Sequence, residues 1–182
     1  NEVLKCADIF STVHHIMHDM YMHDLDTMHR TSILVPLPKK GDLAQASNWR
    51  GISLMPHVTK LFNLIILRRL RAAIDHDLLP MQNGFRPHRG TVQHIVALRR
   101  VLDVAETHLM PLHGCFIDFS KAFDSVRWEA LEYILTKWHV PLELRHAVCK
   151  VMNGHIVRVR TEDGLLSPPI PIGVGVLQGD TL

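Results

Sequence analysis

Residues Cys115 to Val126 read CFIDFSKAFDSV, an apolar run that ends on an acid. Cys115, Phe116 and Ile117 have the composition of a buried β-strand, and Asp118 closes it. A carboxylate at the tip of a buried strand is costly unless a cation or hydrogen-bond donors compensate it, and magnesium is the cation that suits such an oxygen donor. Five residues beyond the acid stands an aromatic side chain, Phe123. The blander alternative is a buried strand followed by a capped helix, with Asp124 or Ser125 at the N-cap and Trp128, Leu131 and Leu135 on the helix. Both readings place a strand and then a helix here.

Periodicity places the other elements. Val3 to Met22 is helical in period, with Leu4, Ile9, Val13, Ile16 and Met20 as its stripe. Ser32 to Leu37 reads as a strand, Lys39 to Asp42 as a charged turn, and the segment beyond Asn48 as the returning strand of a hairpin. Thr59 is the expected cap of a helix running to about Asp75, with Leu61, Leu64, Ile65, Leu67, Leu70 and Ile74 facing inward. Pro80 to Arg89 is a loop. Thr91 is expected to cap a helix to about His108 that carries Val92, Ile95, Leu98, Leu102 and Ala105 at helical spacing. Two more helices, Val126 to His139 and Pro141 to Asn153, follow the acidic strand, the second opened by its proline and closed by Gly154. Ile156 to Thr161 alternates apolar residues with Arg158 and Arg160, and Asp163-Gly164 turns it into a proline-rich return to Gly173.

Three further motifs flank the acidic segment in order: ILVPLPKKGDLAQASNWRGIS from Ile33 to Ser53, QNGFRPHRGT from Gln82 to Thr91, and GVLQGDTL from Gly175 to Leu182. Together the four resemble the reverse transcriptase domain of LINE-type (non-LTR) retrotransposons, from about Ile33 to the last residue. The resemblance implies an α+β chain with the fingers and the N-terminal part of the palm of a right-hand polymerase. Residues 1–30 would be a helical lead-in and residues 31–182 the reverse transcriptase segment proper.

The site residues that follow are what the resemblance implies. Asp118 matches the first catalytic aspartate of the palm, which bridges two Mg2+ ions, and the carbonyl of Phe119 would add a ligand to one of them. Phe123 matches the aromatic steric gate that excludes a 2′-hydroxyl by bulk beneath the sugar of the incoming nucleotide. Lys39 or Lys40 and Arg50 match the fingers residues that hold the dNTP triphosphate, with Trp49 packing beside them. Gln178 and Gly179 match the pair lining the nucleotide and template pocket. Leu177 stands where many relatives carry a basic residue. The family's second aspartate pair lies on a hairpin beyond the last motif, so this chain is expected to hold one of three catalytic carboxylates and, as a fragment, to be inactive alone. RNA template, DNA primer and dNTP are the implied partners, and the nucleus or a cytoplasmic ribonucleoprotein the implied location.

Composition agrees with this reading. The chain has 182 residues, 47% apolar, enough to bury a core in about one domain. Net charge is only +2, but Lys60, Arg68, Arg69, Arg71, Arg86, Arg89, Arg99 and Arg100 crowd one stretch opposed by Asp75 and Asp77. Local excess is what phosphate attraction needs, and Arg86 and Arg89 are the expected nucleic-acid contacts. Solvated helix faces are the alternative for any one of these arginines. Cys6, Cys115 and Cys149 form no CxxC pair, which points to a reducing compartment and away from a zinc site. No apolar run of about twenty residues is present, so no membrane span is expected. His14, His15 and His18 lack the acid of an HExxH motif and read as surface histidines. Two other classes share these features: a decayed or domesticated relative that binds nucleic acid without catalysis, and a reverse transcriptase of the group II intron type.

Overall fold

The computed structural model describes residues 7–24 and 27–180, with side chains described for residues 9–24 and 28–180. The expected stripe residue Leu4 and the final Thr181 and Leu182 lie outside the described residues. The chain divides into two units, one made of Asn1–Ala73 with Lys121–Leu182 and the other of Ile74–Ser120.

In the first unit, helix α1 (Ala7–Met22) carries Ile9, Val13 and Ile16 half-buried and Met20 buried. A single helical turn, α2 (Thr27–Arg30), leads into strand β1 (Thr31–Pro38), which forms an antiparallel hairpin with β2 (Trp49–Leu54). The tip and both strands fall where the periodicity placed them. After α3 (His57–Ile74) and the excursion of the second unit come α5 (Trp128–Lys137), α6 (Leu142–Met152), β3 (Ile156–Val159) and the short β4 (Ile170–Pro171). The sheet order is β2-β1-β3-β4, with β3 parallel to β1 and antiparallel to β4.

Two prolines in β1 cost the sheet nothing. The Leu34 carbonyl faces β3, accepting from the Arg160 amide at 2.9 Å, so Pro36 and Pro38 share its orientation and turn their nitrogens away from β2. The β3 pairing ends at Leu34, and no ladder hydrogen bond is lost there.

Helix α3 corrects two expectations. It starts at His57, so Thr59 lies inside the first turn, buried, with its hydroxyl donating to the His29 carbonyl at 3.4 Å. The buried face is Thr59, Phe62, Asn63 and Ile66, whereas Leu64 and Ile65 are 47% and 37% exposed. A hydrophobic stripe cannot anticipate this, because Thr59 and Asn63 are buried against specific hydrogen-bond partners on distant segments.

Helices α5 and α6 pack together, and Leu135, Leu144, Ala147 and Val148 on them, with Val140 in the connecting turn, are all buried. Burying a side chain of the size of Leu135 or Val148 contributes roughly 1.5–3 kcal/mol. Pro141 caps α6, and Gly154, at φ +69°, follows its end, as expected. The Asp163-Gly164 turn is also present, closed by the Gly164 amide on the Thr161 carbonyl at 3.0 Å.

The second unit holds α4 (Thr91–Thr107). Its N-cap is Gly90 rather than Thr91, and the Gln93 side-chain oxygen accepts from the Gly90 amide at 2.8 Å. Along the expected stripe, Val92, Ile95, Leu98 and Leu102 are 45–66% exposed and only Ala105 is buried. The expected strand at Cys115–Ile117 is absent: residues 110–119 carry no regular structure, and Phe116 and Ile117 are 89% and 80% exposed. A strand exists only through its ladder partners, and none among the described residues pairs with this run.

Candidate functional site

The β1–β2 hairpin presents its cations on a tip folded by side chain to main chain bonds. Asp42 Oδ1 accepts from the Ala44 amide at 2.9 Å, Asn48 Nδ2 donates to the Asp42 carbonyl at 2.7 Å, and Trp49 Nε1 donates to the Leu43 carbonyl at 2.9 Å. Lys39 reaches back to the Ser47 carbonyl at 3.3 Å. Lys40 and Arg50 are exposed and have no side-chain partner among the described residues. Trp49 thus braces the tip, and the cations beside it stay available to a ligand.

The Gln178-Gly179 segment lies directly against β2. The Ser53 amide donates to the Gln178 carbonyl at 2.7 Å. Gly179 has φ +105°, and a Cβ there would stand 2.8 Å from the Ser53 carbonyl oxygen, so only glycine fits. The Ile52 side chain, 3.6 Å from the same point, shares a face of β2 with Arg50. Leu177 accepts from the Asp180 amide at 3.1 Å and is half-buried in that turn.

The segment that follows the acidic motif is laced to the same loop from the other side. Val176 donates its amide to the Phe123 carbonyl at 2.9 Å, Gly175 donates to the Val126 carbonyl at 2.8 Å, and Trp128 Nε1 donates to the Gly175 carbonyl at 2.8 Å. Gly175, at φ +87°, approaches so closely that a Cβ would lie 2.9 Å from the Asp124 carbonyl oxygen. Phe123 keeps 44% of its surface exposed. Neither Asp124 nor Ser125 caps α5, whose N-cap is Arg127. Phe123, Gln178, Gly179 and the Arg50 strand are therefore brought together by main-chain bonds, as one arrangement within the first unit.

Beneath the loop lies a buried polar layer that sequence reasoning missed. Asn63, fully buried on α3, donates from Nδ2 to Asp180 Oδ1 at 2.8 Å. Its Oδ1 and the hydroxyl of buried Ser53 have no partner among the described residues. His155, also buried, meets the Ser32 hydroxyl at 3.2 Å. Burial pushes its imidazole below the usual histidine range; the Asp180 carboxylate and a Val151 backbone bond oppose this, and Arg30 adds to it. The signal that could have found Asn63 is a polar residue one position after Phe62 on the stripe Thr59, Phe62, Asn63, Ile66.

Asp118 and Phe119 belong to the second unit, and both are exposed. Among the described residues no three His, Cys, Asp or Glu side chains come together as a metal site. Asp118 is an exposed carboxylate in a stretch, residues 110–119, that carries no regular structure. Arg86 and Arg89, in the same unit, are turned to their own loop. Arg86 pairs with Asp75 at 2.9 Å and donates to the Leu79 and Asp75 carbonyls, while Arg89 Nη1 donates to Pro80 and Gln82. Nε and Nη2 of Arg89 make no hydrogen bond among the described residues. On α3, Arg69 lies over the Tyr21 ring at 5.8 Å. His14 and His18 are exposed on α1, and no described helix is long and apolar enough to cross a membrane.

Residues 37–179 match the family described as reverse transcriptase (RNA-dependent DNA polymerase). The chain is 28% identical over 156 residues to the retrovirus-related Pol polyprotein from type-1 retrotransposable element R2 of Popillia japonica, covering 86% of this chain and 21% of that protein. It is 29% identical over 150 residues to the transposon TX1 149 kDa protein of Xenopus laevis, covering 82% of this chain and 11% of that one. Its identity to the type-2 element R2DM polyprotein of Drosophila melanogaster is 28% over 153 residues, 84% of this chain and 14% of the relative. The chain thus spans between 11% and 21% of the length of these three relatives.

Proposed function

Because this chain belongs to the reverse transcriptase (RNA-dependent DNA polymerase) family, in its LINE-type branch, we propose that it is the fingers and first part of the palm of an enzyme that copies RNA into DNA. The observation that carries the reading is the lacing of Phe123 through Val176 to Gln178, and of Gln178 to Ser53, three residues along β2 from Arg50. It gathers four of the implied nucleotide-contacting residues, Phe123, Gln178, Gly179 and Arg50, in one arrangement.

In the proposed reaction a primer 3′-hydroxyl attacks the α-phosphate of a dNTP. The new oxygen–phosphorus bond forms as the bond to the β-phosphate bridging oxygen breaks, the hydroxyl proton is lost to solvent, and pyrophosphate departs. Lys39, Lys40 and Arg50 neutralise the β- and γ-phosphates and hold the leaving group in line, a positional and electrostatic contribution. Phe123 forms the wall under the sugar. Gln178 and Gly179 line the base and template side, and base choice comes from pairing with the template RNA. Arg86 shapes the Pro80–Arg89 loop, from which the outer guanidinium edge of Arg89 meets nucleic-acid phosphate. The two-ion centre implied by the family is not formed by this segment's described donors.

A second reading has one observation in its favour. Asp118 is exposed, and no group of three metal-ligating side chains forms among the described residues, which suits a relative that binds nucleic acid through the hairpin face and catalyses nothing. The two readings separate in a polymerase carrying this segment. Lys40→Ala and Arg50→Ala should raise the KM for dNTP about tenfold or lower kcat, with much smaller loss of primer–template affinity. Equal losses of nucleic-acid affinity with unchanged nucleotide kinetics would overturn the polymerase assignment of these cations.

A further inference from the structure

We infer that Asn63 is a positioning residue for the nucleotide and template pocket, acting through Asp180 on Gln178 and Gly179. The inference rests on the assignment of Gln178 and Gly179 to that pocket and adds the residue that sets their geometry. Three observations converge on it. Asn63 is fully buried on α3, in the middle of an otherwise close-packed face, where a polar amide has no packing advantage over leucine. Among the described residues its side-chain hydrogen bond runs to the Asp180 carboxylate at 2.8 Å, across 117 residues of sequence. Asp180 follows Gly179 directly, and the same loop is fastened to β2 by the Ser53 amide on the Gln178 carbonyl at 2.7 Å.

Gly179 adopts a left-handed conformation that leaves its peptide soft to rotation. A loop hinged on such a residue keeps one orientation only if anchored on both sides. Ser53 anchors it before the glycine and Asn63 after it. The Gln178 side chain, whose own main chain is held by the first bond, takes its aim from both. Removing the amide of Asn63 takes the buried 2.8 Å hydrogen bond away from the Asp180 side of the loop and loosens its hold on α3.

The test has a structural arm and a kinetic arm. In the 182-residue chain, amide exchange at Ser53 and Val176 is measured by NMR for Asn63→Leu, which keeps most of the volume, and for Asp180→Ala, which changes the half-exposed partner and avoids any folding defect of the first. Both should speed exchange at Ser53 about tenfold or more, with Val35 and Ile52 in the neighbouring hairpin pairs unchanged. The double variant Asn63→Asp with Asp180→Asn exchanges donor and acceptor and should return Ser53 to near its original rate. In a full-length polymerase carrying this segment, the single variants should raise the KM for dNTP with little change in kcat, and the double variant should restore it. Unchanged exchange at Ser53 in both single variants overturns the inference whatever the kinetics. Faster exchange with an unaltered KM overturns the pocket assignment of Gln178 and Gly179, and the inference with it, while leaving the link between Asn63 and the loop standing.

Discussion

The carbonyl of Phe123 accepts a 2.9 Å hydrogen bond from the amide of Val176, two residues before Gln178. The ring that serves as the proposed sugar wall is therefore held in register with the proposed base pocket by main-chain geometry, independent of its side chain. Substituting the ring removes bulk without cutting the link. In a polymerase carrying this segment, Phe123→Ala should lower the ratio of dNTP to rNTP efficiency by about tenfold or more, with little loss of dNTP use. An unchanged ratio would make Phe123 a packing residue only.

Gly175 and Gly179 are constrained by backbone, so alanine is costly at either. Both sit at positive φ, and the added methyl would meet the Asp124 or Ser53 carbonyl oxygen at 2.9 or 2.8 Å. Each Gly→Ala change should destabilise the first unit by about 1–3 kcal/mol in urea titration. Gly84→Ala, where no heavy atom lies within 4 Å of the added methyl, serves as the control and should stay within about 0.5 kcal/mol.

Arg86 should matter to stability before it matters to binding. Its side chain is 9% exposed and joins Asp75 to the Leu79 carbonyl. Arg86→Ala should cost about 1–3 kcal/mol and raise proteolytic nicking within residues 75–90. Arg89→Ala should instead reduce the salt slope of primer–template binding by about one unit. Identical behaviour of the two variants would contradict this division of roles.

His155 imposes a pH dependence. Its imidazole is depressed when folded, so the unfolded chain binds more protons. Stability from this group is complete above the ordinary histidine pKa of about 6.5 and is lost as pH falls below it, by at most about 1.4 kcal/mol per pH unit. Urea midpoints at about pH 7.5 and 5.5 should differ more for the parent chain than for His155→Gln. A steeper dependence in the variant would reverse the assignment.

The 182-residue chain by itself should not extend a DNA primer on an RNA template. Asp118 is exposed, and no cluster of three metal-ligating side chains forms among the described residues. Primer extension that disappears in Asp118→Asn would refute this and show that the chain assembles its metal centre on its own.

Where the chain's pattern is local, it was readable. The hairpin around Lys39 to Asn48, the turn at Asp163-Gly164 and the boundaries of α6 follow from alternation, turn residues and a proline cap. What sequence could not show depends on distant partners. Asn63 and Thr59 look misplaced on a helix face until Asp180 and His29 arrive from elsewhere, and the run Cys115–Ile117 looks like a strand although no described segment pairs with it. At the site, the motifs named Phe123, Gln178 and Gly179 individually. That Val176 and Ser53 bind them into one arrangement is a property of main-chain bonds, to which side-chain identity is silent.

The parallel pairing of β1 with β3 joins Thr31–Leu34 to Ile156–Val159, partners that lie 125 residues apart in the sequence. On a ribosome the β1–β2 hairpin emerges long before its third strand exists. One edge of β1, with its unpaired amides and carbonyls, is then open to any passing strand for as long as the intervening residues take to synthesise. Pro36 and Pro38 leave that edge without two of its donors, so the nascent hairpin is guarded over its outer half and vulnerable only along the four residues that β3 will later claim.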